Sequence, residues 1–408
     1  MSDSLTQLTD ACVHCGFCLP SCPTYQLTGE EAHSPRGRIH LLRQLLDGEA
    51  TADAIADPID TCLGCLACVP ACPSGVRYEE IIEGARELVV DARPMRERAA
   101  RSAVFQVLPY PRRLKLSTAP LRKVPALGKV DPLFEAAATL APPTTDRPAR
   151  PLPRRIAARG ERRAVVGLLT GCAQSVFFPH VSAATARVLA LEGCDVLVPR
   201  GQGCCGALSL HAGRPEQARR LARKVVAAFT RSGVDAVITD VAGCGSAMKG
   251  YARLLAEDSR WAADAARLAE KARDVSEYLV ELGPEAERSA LPLTVAYHDA
   301  CHLSNGQGVK SQPRALLADI PDLRVVELAD GGRCCGSAGT YNLTEPDTAA
   351  ELGDRKATAV MATAANVVAA GNAGCLLQID AALRRARSPI RTRHTIEILD
   401  ASLRGTQL

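Results

Sequence analysis

At 408 residues, with 47% hydrophobic but only 3% aromatic side chains, the chain is long enough for two or three domains with interiors built mainly from Ala, Leu and Val. A formal net charge of +4 does not point to nucleic acid, and with no run of 18 apolar residues no bilayer-spanning helix is expected. The first residues, MSDSLTQLTDACVHC, lack a basic segment followed by an apolar one, so no secretory signal is read and a cytoplasmic chain is expected.

Seventeen cysteines then need a reason. Disulfides are disfavoured in a reducing compartment, where clustered Cys more often bind metal or do redox chemistry. Eight of them fall within residues 1–92, in two runs. The first is Cys12-x2-Cys15-x2-Cys18-x3-Cys22-Pro23 and the second Cys62-x2-Cys65-x2-Cys68-x3-Cys72-Pro73. This is the spacing of bacterial two-cluster ferredoxins, in which the fourth Cys of each run serves the other cluster. Three thiolates on one tight loop can cap three irons of a cubane, and the fourth iron takes its ligand from elsewhere. The pattern implies one [4Fe–4S] cluster on Cys12, Cys15, Cys18 and Cys72, and a second on Cys62, Cys65, Cys68 and Cys22. Pro23 and Pro73 are expected to open helices, and Gly16 and Gly64 to let each loop close on sulfide. The competing reading is a pair of zinc sites, which usually combine two C-x2-C units without a third Cys two residues on. His14 is expected in solvent or beside the cluster rather than bound to it, and His33 and His40 on the surface.

Residues 93–163 contain no Cys and carry 17 Lys/Arg against 5 Asp/Glu. The stretch reads as helical at first, then as a poorly ordered Pro/Arg-rich linker to about residue 160. It is a solvated linker, a dock for partner subunits, or a surface that meets an anionic membrane. Its few aromatics argue against nucleic-acid binding.

The remaining nine cysteines lie in two copies of one pattern, 164–285 and 286–408. AVVGLLTGC, a strand ending at Cys172, is followed by the helical VSAATARVLALEG, the strand CDVLVP, the loop GCCG with Cys204 and Cys205, a helix, and DAVITD leading to Cys244. The second copy runs LTVAYHDAC to Cys301, PRALLADI, LRVVELA, RCCGSAG with Cys334 and Cys335, a helix around 351–365, and NVVAAGNAGC to Cys375. Thirty-one residues separate Cys172 from Cys204 and 32 separate Cys301 from Cys334; 38 separate Cys205 from Cys244 and 39 separate Cys335 from Cys375. Alternating strands and helices predict parallel sheets, whose carboxyl-end loops would gather each copy's cysteines at one edge. Soft thiolates so bunched suit iron–sulfur or zinc; buried structural Cys and a strained vicinal disulfide are the plainer readings. Cys194 stands outside the pattern and reads as a core cysteine. His298, His302 and His211 either bond loop backbone or tune and protonate what the thiolates hold. The fold class is therefore mixed α+β and α/β: a helix-rich ferredoxin-like domain, then two tandem Rossmann-like repeats.

CVHCGFCLPSCPTYQLTGEEAHSPRGRIHLL and CLGCLACVPACPSGVRYEEII resemble the iron–sulfur subunits of bacterial glycolate oxidases, and the two repeats resemble their cysteine-rich CCG domains. Similar domains occur in heterodisulfide, lactate-utilisation and glycerol-3-phosphate oxidoreductases, the alternative assignments. In the fuller heterodisulfide reductase pattern each CCG domain closes with C-x-x-C. Here Gly-Ser-Ala follows Cys244 and Leu-Leu-Gln follows Cys375, leaving four candidate thiolates per repeat. The resemblance implies two flavoprotein partner subunits that carry FAD and oxidise glycolate to glyoxylate. It further implies relay of electrons through this chain to a quinone or another acceptor, a further cluster in the CCG repeats, and a place in the cytoplasm or on the cytoplasmic face of the inner membrane. With no G-x-G-x-x-G opening a βαβ unit, the chain is not expected to take the hydride itself or to be active alone.

Overall fold

The structure, a computed structural model, describes residues 2–123, 132–140 and 151–408. The N-terminal part is helical among these residues: Ser2–Asp10, Pro23–Thr28, Pro35–Leu46, Ala52–Asp60 and Tyr78–Val89. Helical spacing puts Leu5, Leu8, Ile39, Leu42, Ile55, Ile59, Ile82, Ala85 and Val89 into one core against the cysteine loops. Pro23 opens a helix, as expected. Pro73 does not: Cys72 is followed by turns, and the next helix begins at Tyr78.

The two repeats form two sheets. Strands β1 (Arg155–Ile156), β2 (Ala164–Leu169), β3 (Cys194–Leu197), β4 (Ala236–Thr239) and β5 (Ala272–Asp274) lie in the order β1-β3-β2-β4-β5. Strands β6 (Leu293–Tyr297), β7 (Leu323–Glu327), β8 (Val367–Ala370) and β9 (Arg391–His394) lie in the order β7-β6-β8-β9. All pairings are parallel except β1 with β3. The repeats superimpose in register: Val166 faces Ala236 as Val295 faces Val367. One apolar core runs through both, from Val166 and Leu189 to Val295, Leu317 and Leu399, so the halves are packed as one body. Cys194 is wholly buried in that core, at the start of β3.

Within the basic 93–163 stretch lie the helices Met95–Val107, Pro111–Lys123 and Pro132–Leu140, and β1, which pairs onto the first sheet. The expectation of disorder falls partly on 141–150, outside the described residues. Arg93 anchors the start of this segment through a buried two-pronged ion pair with Asp60, at 2.6 and 2.5 Å.

Candidate functional site

Each cysteine run of the N-terminal part is a tight loop whose Cys-x-x-Cys turns need left-handed backbone. Gly16 and Gly64 supply it once per run, at φ +87° and +60°. The equivalent positions in the other run are His14 and Leu66, which adopt φ 53° and 58° without glycine. The first loop faces solvent. Cys15 and His14 are exposed, and Val13 and Phe17 are each 68% exposed. In the second loop Leu63, Cys65 and Leu66 are buried.

One cavity is lined by Cys22 together with Cys62, Cys65 and Cys68, with Arg38 and Tyr78 beside them. This is the crossed combination that the ferredoxin spacing implied. On the other side, burial raises the Cys12 thiol, and its neighbours Cys72 and Cys15 raise it further. Arg38 is wholly buried, its guanidinium bonded to Thr24 Oγ1 at 3.0 Å and Pro58 O at 2.5 Å and lying 3.9 Å from Cys22 Sγ. Burial would push the Cys62 thiol up. The guanidinium groups of Arg38 and Arg86, with the Gly64 amide and the Tyr78 hydroxyl, outweigh that and hold it below its ordinary value. Four sulfurs around a cavity, with buried cations to offset their charge, fit a thiolate-bound cluster.

The motif SPRGRI explains itself here. Ser34 caps the helix by accepting from Gly37 N at 3.0 Å, and Pro35 takes the first turn. Arg36 bonds the His14 carbonyl at 3.0 Å, tying this helix to the first loop, and Arg38 serves the second cavity. His40 is exposed, but His33 is not a plain surface residue. Its Nδ1 lies 2.8 Å from Thr61 Oγ1, and its side chain is 14% exposed.

All eight repeat cysteines, Cys172, Cys204, Cys205, Cys244, Cys301, Cys334, Cys335 and Cys375, line a single chamber of about 370 Å³. The expectation was one gathering per repeat. Packing the sheets about a shared core brings the two gatherings face to face. Cys205 Sγ lies 3.3 Å from Cys244 Sγ, and Gly206 N donates to Cys204 Sγ at 3.4 Å. Hydrogen bonds from Cys204 and Cys244 hold Cys205 well below the ordinary thiol range despite burial, so the first repeat has a ready thiolate, whereas Cys301, Cys334 and Cys335 of the second are pushed up. Asn372 donates to Cys375 Sγ at 3.4 Å. The rest of the wall is mostly apolar, with Val104, Val107, Leu108 and Leu114 forming a side contributed by the basic stretch that the sequence reads as linker.

The histidines do not bond loop backbone through their rings. His302 Nδ1 lies 3.9 Å from Cys301 Sγ, and the His211 and His302 rings sit 5.0 Å apart at the chamber wall. Burial pushes His302 down to about 3, with His211 adding to the shift. His211 Nδ1 is 3.3 Å from Glu83 of the N-terminal part. His298 is 1% exposed and neither ring nitrogen has a hydrogen-bond partner.

The second N-terminal site abuts the chamber. Cys65, Leu63, Cys334, Tyr341 and Leu352 share one buried cluster with Cys301 against it, and Asn305 donates to the Cys65 carbonyl at 3.1 Å.

Comparison with known proteins agrees with this division. The family described as 4Fe-4S dicluster domain matches residues 8–76, and the family described as Cysteine-rich domain matches 166–249 and 295–380. A probable glycolate oxidase iron-sulfur subunit of Bacillus subtilis is 36% identical over 95% of this chain and 92% of its own. The glycolate oxidase iron-sulfur subunit of Escherichia coli is 35% identical over 96% of this chain and 94% of its own. A lactate utilization protein A of Macrococcus caseolyticus is 33% identical, but over 58% of this chain and 96% of its own. With two relatives matched over nearly their whole length and both cysteine architectures in place, the chain belongs to the family of glycolate oxidase iron–sulfur subunits.

Proposed function

We propose that this chain is the electron-relaying subunit of a glycolate oxidase complex, receiving electrons from two flavoprotein subunits that bear FAD and oxidise glycolate to glyoxylate, and delivering them to a quinone. The observation that carries this is the continuity of its cysteine groups: a loop open to solvent, a buried set behind it, and an apolar chamber in contact with that set. Cys12, Cys15, Cys18 and Cys72 would hold one [4Fe–4S] cluster, Cys62, Cys65, Cys68 and Cys22 the second, and the chamber cysteines a further iron–sulfur centre. Bound there, the clusters supply one-electron acceptors and donors, which a two-electron flavin requires downstream.

The chain's own residues supply the surroundings. Exposed Val13 and Phe17 beside Cys15 offer an apolar face on which a flavoprotein can dock. Arg38 and Arg86 offset anionic charge at the buried set. The apolar chamber wall suits a ring-shaped acceptor better than a charged one. The basic 93–163 stretch supports a place on the cytoplasmic face of the inner membrane, and no helix among the described residues is long and apolar enough to cross one. Lactate as substrate is disfavoured because the lactate-utilisation relatives match under three-fifths of this chain.

The test is anaerobic addition of glycolate to the chain co-expressed with its flavoprotein subunits, following the visible iron–sulfur absorption. Bleaching in the complex, with none for the isolated chain, is expected. Glycolate oxidation by the isolated chain, or clusters that stay oxidised in an active complex, overturns the assignment.

A further inference from the structure

The two repeats are alike in register but not in donors. Counting from the paired strands, Val166 and Val295 are equivalent, and six residues on come Cys172 and Cys301. Three residues on come Leu169 and His298. In the first repeat Leu169 is buried among Cys172, Cys204, Cys205 and Cys244 as an ordinary apolar neighbour. In the second, one ring nitrogen of His298 and the sulfurs of Cys335 and Cys375 all lie within 4.8 Å of one another. The Cys335–Cys375 pair corresponds to Cys205–Cys244, so His298 is added to a site that the first repeat builds from sulfur alone.

The environment of this ring is unusual. His298 is 1% exposed, and a buried imidazole ordinarily satisfies at least one nitrogen. Here neither nitrogen has a partner, while the His298 backbone N–H is fixed to the Ala369 carbonyl at 2.9 Å. Burying two unpaired ring nitrogens costs free energy that an apolar residue such as Leu169 avoids. A metal ion beside two thiolates would satisfy one of these nitrogens and remove that part of the cost, since imidazole and thiolate suit the same ions.

We propose that His298 is a ligand of the iron–sulfur centre in the second repeat, sharing one iron with Cys335 and Cys375, so that this repeat binds through four thiolates and one imidazole while the first binds through thiolates alone. This rests on the reading that the chamber cysteines hold iron. A neutral imidazole brings no negative charge, so a thiolate in its place would lower the centre's potential.

The test uses the full-length chain reconstituted without oxygen with ferrous iron and sulfide, grown with 15N-histidine, and pulsed paramagnetic resonance on the reduced protein. A strongly coupled 15N signal is expected. It should disappear in His298→Leu and persist in His302→Ala, whose ring also neighbours a chamber cysteine. His298→Cys should keep the iron and make the centre harder to reduce by about tenfold, about 59 mV for one electron. Iron beyond the two N-terminal clusters with only weak nitrogen coupling, as from a hydrogen-bonded ring, overturns the ligand assignment alone. Iron limited to those two clusters overturns the occupied-chamber reading and the ligand with it.

Discussion

Arg38 and Gly37 show how closely single residues are specified around the buried cysteine set. Arg38 places a cation next to Cys22 and Cys62 in a spot with almost no solvent. Positive charge favours the reduced, more anionic form of whatever those sulfurs bind. Arg38→Gln should therefore lower the midpoint potential of that cluster, by on the order of 60 mV for a tenfold change in a one-electron equilibrium, as read by redox titration of the reduced-state signal. Next to it, a Cβ on Gly37 would lie 1.9 Å from the Glu31 carbonyl oxygen. Gly37→Ala must displace backbone, and a loss of about 1–3 kcal/mol in denaturant unfolding is expected. The grouping of the cysteines into two loops was legible in sequence because spacing alone constrains which thiols can share a loop. The role of SPRGRI was not, because it depends on which loop the helix packs against.

At the scale of elements, each copy holds more than its sequence pattern marks. Each half ends in a fourth strand and a capped helix that hydrophobic runs did not announce, β5 into Val275–Leu282 and β9 into Thr395–Leu403. These strands are short, and β9 reads Arg-Thr-Arg-His, with no apolar alternation to mark it. The surviving signal is the capping box, Asp274 with Glu277 and His394 with Glu397 at matching places. His394 is an unusual cap. Its Nδ1 accepts from Ile396 N at 3.1 Å while its Nε2–H donates to the Asp240 carbonyl at 2.8 Å, so only the neutral ring satisfies both. Burial pushes its pKa down to about 4. The unfolded chain takes up this proton near pH 6.5 and the folded chain does not until about pH 4, so the contribution is present above 6.5 and lost as pH falls toward 4. Buried Asp240 and Asp274, raised by burial to about 6 and about 7, act with the opposite sign, but they are common to both chains in a comparison. The stability advantage of wild type over His394→Asn should therefore shrink by about 1.4 kcal/mol per pH unit between 6.5 and 4, measured by unfolding across that range.

Across the whole molecule, the N-terminal part is fastened to both repeats next to the cysteine groups. Glu83 meets Arg253 at 3.0 Å and His211 at 3.3 Å, and Arg86 donates to the His211 carbonyl at 2.7 Å. Glu83 is 6% exposed, so its charge is held by these partners rather than by water. Glu83→Ala should loosen the docking by about 1–3 kcal/mol, seen as faster hydrogen exchange in Tyr78–Val89 and around His211, with the N-terminal clusters still bound. The helices of the basic stretch belong to the same assembly. Gln217 donates to the Phe105 carbonyl at 3.0 Å and Arg384 to that of Thr139 at 2.9 Å, which holds this wall of the chamber in place. A linker reading came naturally from Pro, Arg and charge imbalance. Composition reports solvation along the chain and carries no information about the apolar face that Val104, Val107, Leu108 and Leu114 turn inward.

The sequence by itself determined the local chemistry: two ferredoxin loops, two repeats with paired cysteines, and the strands that deliver Cys172, Cys244, Cys301 and Cys375 to loop ends. Each of these is a short-range pattern, fixed by backbone geometry over a few to some tens of residues. Only the tertiary structure decided that the eight repeat cysteines share one chamber, that Cys65 stands against it, and that His298 lies among thiols where Leu169 lies in the other half. Those facts arise where sheets and helices distant in sequence bury apolar surface together. The register of that packing depends on the whole core, and no single segment encodes it.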